Sequence, residues 1–415
     1  MIAIRRSLLF MLIVLVACTP VQAIVTPTTA VPTTAVPTAT VPPTPVPQQT
    51  VALPTAIVPP TSIATTGPRA RLKSPQYSIQ AFLWWKPEIA KRDLTLVQQL
   101  GFTWVKQNFA WRDIENQQKG HFEWELPDNI VRRVGKRGDL KLLVRIDRQP
   151  FWSQAPGTPD LENAPPANLA DFGDFCHTLA ARYKGQVGAY QVWNEPNLAR
   201  EWGNQPPNPA QYVELLKVCY VGIKSADPDA LVISAGMATT GTSSNEAMPD
   251  DQFIEQMYQA GASPYFDILG VHAPGYKAAP EVSPDEVAAK PELGGQRFFA
   301  FRHVEDIRAI MVKYGDAARQ VAILEFGWTT DPIHPEYAWH AVTEQQQADY
   351  LVRAYQYAYD HWSPWISIMS ALSLADPAWT ENDEQYWWAI SYPDRPENKL
   401  RPAYAALQAM PKLQK

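Results

Sequence analysis

Two glutamates, Glu195 and Glu325, each follow a run of apolar, β-prone residues. The run 187–193 leads to an Asn-Glu pair and ends at Pro196, which has no N–H for a sheet ladder and therefore stops the strand. The run 321–324 leads to Glu325, with a glycine and two aromatic residues close behind it. Both carboxylates are therefore predicted where a strand passes into a loop, which is where parallel α/β barrels carry their catalytic side chains.

A pair of carboxyl groups at one barrel mouth suits acid/base chemistry combined with nucleophilic attack. At a separation of about 5–5.5 Å, one protonated carboxyl can give its proton to the leaving oxygen of a glycosidic bond while the other, ionised, attacks the anomeric carbon. Two carboxylates this close resist simultaneous ionisation, which helps to separate their pKa values. A pair of this kind therefore allows double displacement at a glycosidic bond, and a solvated strand-end acid is the alternative for either residue.

Eight short apolar runs, each followed by a helical pattern, would position these glutamates. The runs span 77–84, 102–109, 140–146, 187–193, 231–234, 266–271, 321–324 and 365–373, and the helices span 87–100, 128–136, 168–183, 209–225, 251–260, 298–314, 343–360 and 402–410. This alternation predicts an α/β fold with a parallel sheet and right-handed crossovers, and eight strands close a (β/α)8 TIM barrel. The two glutamates would then end strands four and seven and face each other across the mouth. The longest connections follow strands two, three, four, six, seven and eight, on that same side.

The N-terminus has the pattern of a bacterial export signal. Arg5 and Arg6 precede an apolar stretch that is shorter than the roughly 20 residues needed to span a bilayer. The stretch ends in Leu15-Val16-Ala17-Cys18, which resembles a lipobox and makes Cys18 the predicted lipidation site. Ordinary cleavage after Val21-Gln22-Ala23 is the alternative. We expect a membrane-anchored lipoprotein at the bacterial cell surface, or else a secreted protein.

The segment 19–68 differs from the rest of the chain in composition. It contains no charged residue and consists mainly of Thr, Pro, Val and Ala, a composition that cannot build a core. We therefore divide the chain into a lipoprotein signal peptide at 1–18, a disordered Thr/Pro-rich stalk at 19–68 and a barrel domain at 69–415. The stalk would lift the barrel away from a membrane or through a cell-wall layer.

Composition and cysteine count exclude several classes of function. The net charge is −6 and no basic stripe is present, which argues against nucleic acid as a partner and leaves the lipid anchor as the one predicted contact with a membrane.

Cys176 and Cys219 lie in helical patterns and are predicted to be two buried thiols rather than a disulfide. No Gly-rich phosphate loop, HExxH or CxxC motif occurs, so no metal or other cofactor is expected. The 15 Trp and 17 Tyr are a weak indication of carbohydrate binding, and we expect a monomeric catalytic domain.

The motifs at 193–196 (WNEP) and 325–328 (EFGW) resemble those of clan A of the glycoside hydrolases, a barrel superfamily with catalytic Glu at the ends of strands four and seven. The resemblance is greatest to family 39 and next to the cellulase-like family 5. Further phrases that fit in order and spacing lie at 101–106, 111–115, 120–124, 226–230 and 267–272.

This resemblance implies a role for five residues. Glu195 would be the general acid/base and Glu325 the nucleophile. Asn194 would hydrogen-bond the 2-hydroxyl of the sugar, a contact that strengthens in the transition state. His272 would lie near the acid/base, with a structural histidine as the alternative, and Tyr276 would hydrogen-bond the nucleophile.

The resemblance also implies a Trp from strand eight beneath the sugar, and Trp388 is preferred to Trp379 and Trp387. The family often has Arg at the end of strand two, whereas this chain has Lys106-Gln107-Asn108 there, which leaves the sugar contacts of this strand open. Arg145 on strand three would supply a guanidinium to the substrate or act as an ion partner inside the barrel.

Trp202, in the loop after strand four, has two alternative roles: a flat platform for a sugar or an anchor for its loop. The whole pattern predicts a retaining O-glycoside hydrolase that acts on an extracellular polysaccharide or oligosaccharide. The alternative is a non-catalytic carbohydrate-binding or cell-wall protein on a barrel scaffold, which would not require the paired glutamates.

Overall fold

The computed structural model describes residues 72–84, 86–393 and 400–415. Within them, parallel strands form a closed barrel in chain order, and β8 pairs with β1 to complete the ring. The eight strands are β1 (Gln76–Gln80), β2 (Trp104–Ala110), β3 (Lys141–Asp147), β4 (Ala189–Val192), β5 (Leu231–Ile233), β6 (Ile268–Pro274), β7 (Gln320–Gly327) and β8 (Ile366–Ala371). The (β/α)8 barrel predicted from the sequence is confirmed.

Helices surround this barrel. They are α1 (Pro87–Gln99), α2 (Trp111–Ile114), α3 (Glu125–Gly135), α4 (Leu169–Arg182), α5 (Pro209–Ala226), α6 (Asp250–Gln259), α7 (Pro284–Ala288), α8 (Val304–Lys313), α9 (Pro335–Ala338), α10 (Glu344–Tyr357), α11 (Glu384–Trp388) and α12 (Pro402–Ala409). Local sequence explains several starts, since Asn168 and Asn208 accept hydrogen bonds from the first turns of α4 and α5. Thr343 and Gln346 form a capping box at the start of α10.

The barrel interior changes from apolar to polar along the strands. Alternate residues of a strand share one face, so Trp104 on β2 and Leu143 on β3 point inward with the residues two positions further on. The interior cluster near the start of the strands is apolar and consists of Trp104, Leu143, Ala189, Leu231, Ile233, Ile268, Ala322, Leu324 and Ile368. Two positions nearer the strand ends, the same inward faces of β2, β3 and β4 carry Lys106, Arg145 and Gln191. Lys106, Arg145 and Gln191 are therefore collected at the C-terminal mouth of the barrel.

The predicted pair of separate thiols is wrong. Cys176 in α4 and Cys219 in α5 form a disulfide, with their Cα atoms 5.3 Å apart. The two helices can approach this closely because of glycine: a Cβ on Gly222 would lie only 2.5 Å from the carbonyl oxygen of Gly173. Helical spacing identifies both cysteines as buried, but it does not reveal which faces of the two helices meet.

Long connections lie on the mouth side of the barrel, as the sequence predicted after six of the strands. The connection after β5, residues 234–249, is also long, and it contributes to the site described below. The predicted signal peptide, the stalk at 19–68 and the lipidation site Cys18 lie outside the described residues. Among the helices of the described ranges, none combines the length and apolar character required to cross a membrane.

Candidate active site

Glu195, Glu325 and His272 form a cluster at the barrel mouth. Glu195 follows β4, His272 lies in β6 and Glu325 lies in β7. One oxygen of each carboxyl group and one ring nitrogen of His272 all lie within 4.8 Å of one another. Glu195 is 3% exposed, and the side chain of Glu325 is 14% exposed. We call these three residues the mouth cluster.

Glu325 reaches this cluster through an irregularity in β7. Leu324 belongs to the apolar interior of the barrel, so regular alternation would point Glu325 away from it. The pairing of β7 with β6 shifts at this point, since Val271 pairs with Ile323 but His272 pairs with Glu325. A bulge of this kind redirects a side chain, and here it places the carboxyl group opposite His272.

The end of β4 has an unusual backbone conformation. Trp193 has φ +71° and Glu195 has φ +48°, in the left-handed region that residues other than glycine rarely adopt. The Glu195 N–H donates to the carbonyl of Gly236 at 3.0 Å, and the Trp193 N–H donates to that of Ile146 at 2.8 Å. Such conformations each cost on the order of 1–3 kcal/mol and persist where the surroundings impose them, often at functional sites.

His272 lies between the two carboxyl groups. Its Nδ1 is 3.0 Å from Glu195 Oε1, and its Nε2 is 3.9 Å from Glu325 Oε1. The ring packs on Gly236, where a Cβ would come within 2.2 Å of the imidazole. A glycine in the connection after β5 is therefore needed for His272 to occupy this position.

Glu325 has cationic neighbours from two other strands. Lys106 Nζ lies 2.9 Å from Glu325 Oε1 and also donates to the carbonyl of Leu324 at 3.1 Å. Arg145 lies 3.8 Å from the same carboxylate oxygen and 2.8 Å from a carboxylate oxygen of Asp147. Arg145 is therefore an ion partner inside the barrel, which is one of the two roles predicted for it, and it also borders the cluster.

These neighbours decide the charge of Glu325. Burial alone would raise its pKa, but Lys106, His272 and Arg145 together outweigh burial and lower the pKa of Glu325 to about 2. Burial lowers the pKa of Lys106, and Glu325 opposes that effect. No role towards Glu325 was predicted for Lys106, although a Lys on the inward face of a barrel strand indicates a buried ion pair.

Glu195 has a different environment, which contains further acids. Arg200 lies 3.8 Å from Glu195 Oε2. Burial, aided by the nearby Glu195, raises the pKa of Glu201 to about 7, and Asn163 donates to its carboxyl group at 2.9 Å. Burial likewise raises the pKa of Glu384 to about 8. Neither acid was predicted from the sequence, because the burial of each depends on how the loops fold over it.

Asn194 borders the mouth cluster and is 9% exposed. Its side-chain oxygen accepts a hydrogen bond at 3.1 Å from the amide of Gln191, which lies inside the barrel on β4. Gln191 was not singled out from the sequence, although a buried Gln among apolar strand residues must find hydrogen-bond partners.

Tyr276 does not hydrogen-bond Glu325, so the contact expected from the resemblance is absent. Its hydroxyl donates to the carbonyl of Thr239 at 3.1 Å and lies 3.0 Å from that residue's own hydroxyl. The ring packs against Phe299 and Trp339 from the loops after β6 and β7. The Tyr276 hydroxyl thus contacts Thr239 in the connection after β5, and Lys106 contacts the Glu325 carboxylate.

Trp202 is an anchor for its loop and not a sugar platform. It is fully buried, its indole N–H donates to Gln211 at 3.1 Å, and its ring packs edge-on against Trp193 and Tyr212. A platform needs an exposed ring face, which Trp202 does not have. Its packing supports the strained turn that carries Glu195.

Trp388 lies beside the end of β7. A Cβ on Gly327, two residues after Glu325, would be 3.7 Å from the Trp388 ring. The Trp388 indole is half-buried and donates to Glu384 at 2.7 Å. Trp379 packs on Phe82 instead.

The mouth cluster has the donor types of a divalent-cation site, but its geometry favours hydrogen bonding. Glu195 Oε1 lies at hydrogen-bond distance from His272 Nδ1, at 3.0 Å, whereas Glu325 Oε1 is 3.9 Å from Nε2. Lys106 also already neutralises Glu325. The arrangement instead provides one carboxyl held ionised by cations and another joined to an imidazole.

Comparison with known proteins adds information on the fold. No protein-family model matches the sequence, and no curated protein matches it. Solved structures do match in three dimensions. A family 39 glycoside hydrolase from Bacteroides cellulosilyticus WH2 is 19% identical with a TM-score of 0.59, over 81% of this chain and 63% of that one. This chain therefore spans less than two thirds of that protein.

Two further structures match over similar shares of this chain. A glucosidase from Croceicoccus marinus is 14% identical with a TM-score of 0.56, over 81% of this chain and 67% of that one. A GH10 endoxylanase from a sugarcane soil metagenome is 16% identical with a TM-score of 0.52, over 81% of this chain and 98% of that one. At these identities the similarity establishes the shared barrel fold.

Proposed function

We propose that this chain is a retaining glycoside hydrolase of clan A that cleaves O-glycosidic bonds, with Glu195 as general acid/base and Glu325 as nucleophile. The observation that carries the proposal is the proximity of two carboxyl groups in opposite surroundings. Their nearest oxygens are within 4.8 Å, which fits the spacing of about 5–5.5 Å in retaining enzymes better than the 6.5–9.5 Å of inverting ones. Glu325 is held ionised by Lys106 and Arg145, as a nucleophile must be.

The reaction proceeds in two displacements. In the first, an oxygen of Glu325 bonds to the anomeric carbon while the bond to the leaving oxygen breaks and Glu195 gives that oxygen its proton. In the second, Glu195 takes a proton from water, the water oxygen bonds to the anomeric carbon, and Glu325 is released. Each step inverts the anomeric centre, so the product retains the substrate's configuration.

The substrate is an extracellular polysaccharide or oligosaccharide. The solved structures of the same fold carry the names of a glycoside hydrolase, a glucosidase and an endoxylanase, which supports a carbohydrate substrate here. The two glutamate motifs and the half-buried Trp388 beside β7 support the same class.

An extracytoplasmic, lipid-anchored and monomeric enzyme is part of the proposal. The disulfide between Cys176 and Cys219 supports this location, since disulfides persist mainly in oxidising compartments. The lipobox-like stretch that ends at Cys18 supports the anchor.

A panel of aryl glycosides and glycans, with the first-formed anomer identified by NMR, tests the activity. We expect turnover of at least one glycoside with retention of configuration, and its loss in Glu195→Gln for substrates with poor leaving groups. Activated aryl glycosides need less protonation, so Glu195→Gln should hydrolyse them comparatively well. An inverted first product would contradict the mechanism. Sugar binding without any turnover, unchanged in both Glu→Gln variants, would instead identify a non-catalytic binding protein.

A further inference from the structure

Gln191 is a buried amide directly beneath Asn194. It lies on β4, and its side chain is 0% exposed. Its Nε2 is 2.9 Å from the carbonyl oxygen of Trp193 and 3.1 Å from the side-chain oxygen of Asn194. One amide group thus holds both the strained turn and the side chain next to the acid/base.

The chemistry of these contacts fixes the direction of each amide. A backbone carbonyl can only accept, so the end of Gln191 that meets Trp193 must be its NH2 group. The same NH2 group meets Asn194, so the atom of Asn194 that faces it must be the oxygen. In the opposite orientation, the side-chain oxygen of Gln191 would face the Trp193 carbonyl oxygen. Both atoms are acceptors, so no hydrogen bond could form between them. The Asn194 NH2 group therefore points away from Gln191.

We propose that Gln191 is a positioning residue that makes Asn194 a hydrogen-bond donor to the 2-oxygen of the sugar. This inference rests on the proposed glycosidase function and deepens it. The substrate must then carry an acceptor at C2, as a 2-hydroxyl sugar does, whereas a 2-ammonium group offers donors alone. The contact strengthens in the transition state, so the orientation of Asn194 acts mainly on the rate of glycosyl transfer.

A purely structural role for Gln191 would have a different effect on the rates of different substrates. If it served only to hold the Trp193 carbonyl, its loss would disturb Glu195 and slow every substrate to the same degree. Positioning of Asn194 affects only those substrates that have an oxygen at C2. A substrate pair that differs at this atom therefore separates the two roles.

The test compares wild type and Gln191→Met on a 2,4-dinitrophenyl glycoside of the preferred sugar and on its 2-deoxy counterpart. We expect kcat/KM for the parent glycoside to fall roughly 10- to 100-fold while that for the 2-deoxy substrate changes less than about threefold. The intrinsic reactivity of the 2-deoxy compound cancels, because each substrate is compared with itself across variants. Equal losses on both substrates would overturn the proposal.

Gln320→Met is the matched control. Gln320 is also a buried amide of the barrel, but its Nε2 donates to the carbonyls of Leu72 and Pro364 at 2.9 Å, at the start of β7 and away from the mouth. Its substitution should lower stability without changing the ratio of the two kcat/KM values. If Gln320→Met also changed the ratio of kcat/KM between the parent and 2-deoxy glycosides, the changed ratio in Gln191→Met would not support the proposal.

A second readout does not depend on activity. In wild-type protein labelled with 15N at Asn and Gln side chains, the Gln191 amide hydrogens should exchange with solvent at least about tenfold more slowly than those of Asn194. Faster exchange at Gln191 would overturn the arrangement even if every glycoside is cleaved. If the wild type cleaves no glycoside, the proposed function fails, and the exchange rates still test the hydrogen bonds of Gln191 independently of it.

Discussion

At the scale of single residues, Glu195 and Glu325 have different neighbours, and this difference supports the roles of acid/base and nucleophile that we propose for them. Glu325 has Lys106 at 2.9 Å and Arg145 at 3.8 Å, and its pKa lies at about 2 although it is buried. Glu195 is joined instead to the imidazole of His272. Arg200 lies 3.8 Å from Glu195, but only Glu325 has a cation at 2.9 Å, which suits Glu325 to the role of nucleophile that we propose.

Removal of the Lys106 charge should raise the pKa of Glu325. This pKa is depressed in the folded protein, so ionised Glu325 contributes to stability above its unfolded pKa of about 4.3, and the contribution is lost as pH falls towards 2. In Lys106→Met, burial still raises the pKa of Glu325, but the lysine charge that lowers this pKa is gone. The acidic limb of the pH profile of kcat/KM should therefore move up by on the order of 1–2 pH units.

The pH profile of kcat/KM for wild type and Lys106→Met is the measurement. Lys217→Met, which changes a half-exposed lysine on α5 that pairs with Glu214, is the control and should leave the profile unchanged. An acidic limb at the same pH in wild type and Lys106→Met would show that Lys106 does not control the ionisation of Glu325.

At the scale of elements, α4 and α5 form a covalently linked pair against the barrel wall beneath the Glu195 turn. Phe172 of α4 packs on Trp193, and Tyr212 of α5 donates to the carbonyl of Val192 at 3.0 Å. The disulfide between these helices therefore stabilises the elements that support the end of β4. It makes no direct contact with the mouth cluster, so its effect belongs to stability.

Loss of the disulfide should destabilise the chain with little change in catalysis. The two cysteines are 43 residues apart, for which loop-closure entropy gives a stabilisation of roughly 4 kcal/mol. The Cys176→Ala/Cys219→Ala variant should lose up to about this free energy of unfolding in denaturant titrations and keep kcat/KM within about threefold at 25 °C. A free energy of unfolding equal to that of the wild type would contradict the predicted stabilisation.

At the scale of the whole molecule, the sequence predicts the barrel well because the fold depends on periodic patterns. Each of the eight apolar runs overlaps an observed strand, and the helices after them begin at caps that are legible in the sequence, such as Asn168 and Asn208. The joint position of Glu195 and Glu325 follows from this topology, because the carboxyl ends of all parallel strands meet at one face.

The details of the site depend on geometry that no pattern specifies. The shifted register near His272 turns Glu325 inward, and the same sequence without this shift would point it outward. Burial of Trp202 depends on how its loop folds, and the hydrogen bond of Tyr276 depends on where the connection after β5 runs. The pairing of Cys176 with Cys219 depends on which helix faces meet.

The central claim is that Glu325 forms a covalent bond with the sugar, and azide rescue of Glu325→Ala tests it most directly. This variant should lose nearly all turnover of a 2,4-dinitrophenyl glycoside, because the first displacement has no nucleophile. Added sodium azide should restore part of the rate and yield a glycosyl azide of inverted anomeric configuration, since azide occupies the vacated space on the Glu325 side. Full activity of Glu325→Ala without azide, or a rescued product of retained configuration, would contradict the assignment.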